Sequence, residues 1–223
     1  MRPFDLRSPP PGTPDYSRAE ARVDGAVQAL GFAAAPPAAV ILGLVADGTT
    51  ATLGSVIYGL SLTAMTACSA LYHWVQDPSR KALCRRADRA ALFALIAGTY
   101  TALLTGSLGD ALGPTWRALA LGFIWAAAGA ASYLEIRHPR RFERTTLALA
   151  LLLGWCGLML LNPMLESLSP AVLALIGGGG VAYSAGVGFH LWRTLPFHNA
   201  VWHGFVLSGV ICHYIAVFLT HTS

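Results

Sequence analysis

Apolar residues run along this chain in seven long blocks, broken by short polar or turn-forming stretches. The blocks fall near 24–46, 51–75, 89–108, 115–136, 146–165, 171–192 and 200–220, and each holds roughly 18–25 residues, enough to cross a bilayer core as a helix. None alternates with a period of two, so an all-α, seven-span bundle is expected rather than a membrane β-barrel. The breaks carry turn chemistry: Asp47-Gly48-Thr49-Thr50, Gly109 through Gly113-Pro114, and Ser167-Leu168-Ser169-Pro170. Pro36-Pro37 lies inside the first block and should kink or locally unwind it. Gly177 to Gly180 in the sixth permits close helix approach. Residues 1–22 are polar and rich in Pro and Arg, without a signal peptide's apolar centre. They read as a flexible cytoplasmic tail ahead of a seven-transmembrane domain at 23–223.

Composition strengthens this picture. Of 223 residues, 55% are hydrophobic and only 12% charged, against a usual charged share of about 25%. Mean hydropathy is +0.55. Neither a water-soluble enzyme nor a disordered chain has that balance. The net charge of +4 does not signal nucleic acid, because its sources are segregated by topology. Arg2 to Arg22 in the tail, Arg80 to Arg89 after span two, Arg137 to Arg144 after span four, and Arg193 after span six share one side, leaving Arg117 alone opposite. The positive-inside rule then places the N-terminus in the cytoplasm and, with an odd span count, the C-terminus outside, in a multi-pass protein of the cell membrane. Cys68, Cys84, Cys156 and Cys212 have no CxxC or disulfide-framework spacing. Tyr72, Trp74, Trp125, Trp192 and Trp202 fall near span ends and read as interfacial anchors.

Ionisable groups inside spans are costly and therefore mark function by default. Ser69 and His73 share a helix face at i and i+4 near the end of span two. Asp88 opens span three, and His203, preceded by His198 and Asn199, opens span seven. Topology brings all of them to one membrane depth, on the cytoplasmic side. Neutral imidazoles suit zinc, which in catalytic sites takes three protein ligands and a water. A nearby carboxylate serves as general base, and a serine hydroxyl can orient water. The plain alternative is a set of residues that cap helix ends, with Asp88 as an N-cap for span three. Among the other histidines, His213 is ten residues beyond His203, about 15 Å along a helix, too far to share an ion. It reads as a buried hydrogen-bonding residue. His190 reads as a packing group, while His138, His221 and Glu135 read as hydrated at membrane edges.

Ser69-Ala70-Leu71-Tyr72-His73 resembles the S-x3-H motif of the hemolysin III family, which shares a superfamily with the adiponectin and progestin receptors (PAQR) and is related to the alkaline ceramidases. Leu83 through Asp88, continuing to Ile96-Ala97-Gly98-Thr99-Tyr100-Thr101, resembles the family's Asp-containing third span. Asn199 through Leu207, followed by His213-Tyr214, resembles its last span. The resemblance implies zinc at the cytoplasmic helix ends, with His73 and His203 as ligands, Asp88 partnering the reactive water and Ser69 beside it. Three departures stand out. Asn199 occupies the first position of the usual H-x3-H motif, which leaves three readings: His198 as the third ligand, a water held by Asn199, or a site that binds metal weakly or not at all. Gln28 stands where span one often carries His, and Ala102 where Pro is common. The implied function is metal-dependent hydrolysis of lipid amides or esters in membrane lipid homeostasis, with membrane lipids as partners and no nucleic acid. The alternative is a non-enzymatic pore-forming hemolysin, or a membrane-state sensor with a structural metal.

Overall fold

The computed structural model describes residues 17–137 and 143–222, and among these every regular element is helical. The helices are α1 (Arg18–Val45), α2 (Thr49–Trp74), α3 (Pro78–Leu104), α4 (Ser107–Arg137), α5 (Glu143–Trp155), α6 (Leu161–Ser167), α7 (Pro170–Leu191) and α8 (His198–Thr222). A 3-10 turn, Cys156–Leu160, joins α5 to α6, and the three together make one crossing. Seven stretches are thus long and apolar enough to span a membrane, as the apolar pattern requires. Most of the expected tail, residues 1–16, and the loop containing His138 lie outside the described residues.

Local signals fix the helix ends. Ser17 accepts from the Glu20 backbone while the Glu20 carboxylate accepts from Ser17, a capping box. This starts α1 at Arg18, so its first turn replaces the last residues of the expected tail. Asp77 caps α3, with its carboxylate 2.8 Å from the Arg80 nitrogen and Pro78 at the first helical position. Consequently Asp88 sits about three turns inside α3 and caps nothing. Gly113, at φ 75°, supplies the left-handed break ahead of Pro114. Pro36-Pro37 does not interrupt α1, which stays helical through both.

Small residues let the spans approach. Gly59 of α2 faces Ala39 of α1, and Gly98 of α3 faces Ser61 and Tyr58 of α2. Gly179 of α7 lies under the His213 ring of α8 and Gly180 against Trp155, whereas Gly177 and Gly178 meet no neighbour. Half of the glycine run therefore serves packing. The tightly packed pairs are α1–α2, α2–α3, α3–α4 and α7–α8, and α8 closes against α1 and α3. A core of Leu42, Tyr58, Leu104, Val172 and Val217 fills the space between them.

The fifth crossing departs from the single continuous span expected at 146–165. Two features interrupt its hydrogen-bond ladder. Pro163 has no N–H for the Met159 carbonyl. The Tyr100 hydroxyl of α3 inserts further up, 3.0 Å from the Leu153 carbonyl, 2.8 Å from the Gly154 carbonyl and 2.7 Å from the Gly157 nitrogen. A side chain inserted in the ladder is a known cause of a kink. A Cβ at 157 would lie 2.9 Å from the Tyr100 oxygen and push that hydroxyl away from the ladder.

Candidate metal centre

Three helices deliver three donors to one point. The buried stripe of α1 is Asp24, Gln28, Gly31, Ala35 and Leu42, a helical period of three and four that turns Asp24 inward. One turn earlier, Glu20 accepts from the Phe197 nitrogen at 2.8 Å, which ties the start of α1 to the chain entering α8. Asp24 is thereby held against the first turns of α8. Its Oδ1 lies 2.5 Å from His203 Nδ1 and its Oδ2 lies 3.2 Å from His73 Nδ1. The two imidazole rings meet edge-on with centroids 5.2 Å apart, and one ligand atom from each of Asp24, His73 and His203 fits within 4.8 Å of the others. Asn199, one turn before His203, places its amide nitrogen 2.6 Å from Asp24 Oδ2 and 3.5 Å from His203 Nδ1.

This donor set fits a divalent ion. Ligands bound tetrahedrally at about 2.0–2.1 Å stand roughly 3.4 Å apart. Asp24 Oδ2 and His73 Nδ1, 3.2 Å apart, already match that; His203 Nδ1 lies 2.5 Å from the other oxygen, Oδ1, so one carboxylate oxygen serves with both rings only after these side chains shift. Two imidazoles and one carboxylate make the three-ligand composition that leaves a fourth position for water.

Ser69 is buried on α2 near the Asp88 carboxylate, and Asp88 lies within electrostatic range of His203. His73 and His203 thus meet at one end of the bundle, with Ser69 and Asp88 at the same end. His198 does not join them. It is buried where α8 begins, its backbone N–H on the Leu195 carbonyl and its ring near Glu20. The third member of the cluster is Asp24, which sequence reasoning passed over as the first residue of an apolar span. The available signal was an acidic residue on the same end of the same bundle, at helical spacing from Gln28.

Other polar residues differ from their sequence reading. Glu135 is not hydrated: it is 3% exposed, accepts from the Thr146 hydroxyl and pairs with Arg89 at 3.8 Å. His221 hydrogen-bonds the buried Ser55 at 2.8 Å rather than facing solvent. The Trp125 indole donates to Thr101 at 3.0 Å, and Trp202 packs on the His190 ring, so these two hold helices together. His213 contacts the Ile176 carbonyl at 3.2 Å, in keeping with its reading as a buried bonded residue.

A separate cavity of about 300 Å³ lies within the bundle, and none of Asp24, His73, His203, Ser69 and Asp88 lines it. Its walls come from α3, the broken fifth crossing, α7 and α8, and they are almost wholly apolar. At the cluster's end it reaches Trp202, next to His203, and Leu92, one turn from Asp88. At mid-depth it passes Tyr100 and His213.

The profile of the family described as Haemolysin-III related matches residues 25–214. "Hemolysin-3" of Bacillus cereus is 36% identical over 176 residues, 78% of each chain. "Hemolysin-3 homolog" of Bacillus subtilis is 34% identical over 161 residues, 72% of this chain and 74% of its own. The human "Monocyte to macrophage differentiation factor" is 29% identical over 168 residues, covering 72% and 67% respectively. With the seven-span bundle and these matches together, the chain belongs to the hemolysin III family, within the wider PAQR group.

Proposed function

We propose that this protein is a metal-dependent hydrolase of lipid amides or esters, acting at the cytoplasmic face of the cell membrane. The reading is carried by the convergence of Asp24, His73 and His203 from three separate spans, beside an Asp88 that caps no helix and in a bundle that contains an apolar cavity. A divalent ion such as zinc, held by those three residues, would polarise the scissile carbonyl and lower the pKa of the attacking water. The Asp88 carboxylate, with the buried Ser69 nearby, takes the proton from that water and returns it to the leaving amine or alkoxide. The cavity holds the acyl chain, which excludes bulk water from the apolar side and aligns the carbonyl with the polar cluster. The asymmetry of Lys and Arg supports the cytoplasmic placement.

The test is incubation of purified protein with defined ceramides and phospholipids, with mass spectrometry of released fatty acid. Wild type should release fatty acid. Asp88→Asn should lose at least about 100-fold in rate while keeping its metal, and His73→Ala should lose both. Metal-loaded wild type with no turnover on either lipid class would overturn the hydrolase reading. The names of the Bacillus relatives favour a second reading, membrane permeabilisation. It predicts liposome leakage that Asp88→Asn leaves intact.

A further inference from the structure

Position 199 is one helical turn from His203 on the same face of α8, so a side chain there points toward the same ion. Two imidazoles at this i, i+4 spacing can share one metal. The residue present is asparagine, and its amide nitrogen carries no lone pair to give. It donates instead, 2.6 Å from Asp24 Oδ2, with 3.5 Å to His203 Nδ1. Asp24 is nearly buried, and its carboxylate lies between the two rings. Asn199 thus sits behind the carboxylate and restricts its rotation. A neutral donor does this without adding charge, whereas an acidic residue would repel Asp24 and a basic one would compete for it.

We infer that Asp24 and Asn199 work as a pair in place of a third imidazole: Asp24 is the third metal donor, and Asn199 is the residue that positions it. The inference rests on the metal-site reading above and deepens it. The resulting set of two histidines and one carboxylate is harder than three histidines. It suits zinc and also the open-sided iron(II) sites built from the same three groups. The pair should also be exchangeable. With the carboxylate neutralised, an imidazole at 199 can close the site from α8 alone.

The experiment is equilibrium competition for zinc against a chromophoric chelator, on full-length protein in detergent. The proteins are wild type, Asp24→Asn, Asn199→Ala and the double variant Asp24→Asn/Asn199→His. X-ray absorption at the zinc edge of loaded protein counts the donors. Wild type should bind one zinc through two imidazoles and one carboxylate oxygen. Asp24→Asn should weaken binding at least about 100-fold, and Asn199→Ala about 10–100-fold, as loss of an orienting partner does. The double variant should recover to within about tenfold of wild type, now with three imidazoles. Zinc binding through His73 and His203 with no carboxylate in wild type would overturn the pair while leaving the metal site standing. So would a double variant that binds no better than Asp24→Asn. Wild type that binds no zinc and no iron(II) would overturn the metal site itself. The absorption measurement on wild type decides the donor set even if a variant fails to fold.

Discussion

Replacing Tyr100 with phenylalanine should destabilise the bundle by about 1–3 kcal/mol and loosen one identifiable segment. The Tyr100 hydroxyl carries one proton, shared between the carbonyls of Leu153 at 3.0 Å and Gly154 at 2.8 Å, and it accepts from the Gly157 nitrogen at 2.7 Å. Tyr100→Phe removes both roles. The Leu153 carbonyl keeps the Cys156 thiol at 2.9 Å, whereas the Gly154 carbonyl and the Gly157 N–H lose the hydroxyl beside an apolar wall. Each such group costs about 1–3 kcal/mol when nothing replaces its partner. Measured side-chain hydrogen bonds between membrane helices average nearer 0.6 kcal/mol, because alternative partners are found. Partial repair is available here, since Gly157 could donate to Leu153 in an ordinary helical bond. It is incomplete, since Pro163 still cannot serve the Met159 carbonyl. These opposing terms set the range. Thermal unfolding in detergent, with hydrogen exchange resolved to the Gly157 amide, measures both parts. A lower Tm with faster exchange confined to 153–160 is expected. Unchanged Tm with unchanged exchange would refute the idea that the inserted hydroxyl holds the broken crossing.

Further outcomes follow from packing and pairing. Gly59→Ala would place a Cβ 2.6 Å from Ala39 Cβ and should cost about 1–3 kcal/mol by overpacking; Gly129→Ala meets no atom within 4 Å and should be neutral or stabilising by up to about 1 kcal/mol. Equal Tm shifts in these two variants would contradict the helix contacts. Glu135→Ala removes the Thr146 hydrogen bond and the Arg89 ion pair and should lower stability by about 1–3 kcal/mol, read as an earlier unfolding transition that Glu135→Gln restores in part. Glu20→Ala releases both the capping box and the bond to the Phe197 nitrogen. It should weaken metal binding through Asp24 while leaving the helix content by circular dichroism nearly constant.

The span count was readable because lipid demands about 20 apolar residues per crossing and each break carried Gly, Pro or Asp. His73 and His203 were readable because topology brings them, with Ser69 and Asp88, to one membrane depth; each taken alone had a plain reading. Asp24 was not, because a carboxylate at the first turn of a span looks like an interfacial residue until tertiary contacts show what it faces. The capping role open to Asp88 from its position was removed by Asp77, eleven residues earlier, a boundary that the apolar pattern blurs. Glu135 misled for a related reason. Its partners Arg89 and Thr146 come from two other helices, and no local pattern links them. The broken fifth crossing depends on Tyr100, some fifty positions away, so its sequence shows only Pro163.

The most direct measurement is an anomalous difference map collected at the zinc edge from crystals of protein purified without chelator. One peak is expected, about 2.0–2.2 Å from a carboxylate oxygen of Asp24 and from a ring nitrogen of each of His73 and His203, with Asp88 beside the open position. A map from such crystals with no peak among these three side chains, or with the only peak at another place in the bundle, would contradict a metal centre at this end of the membrane.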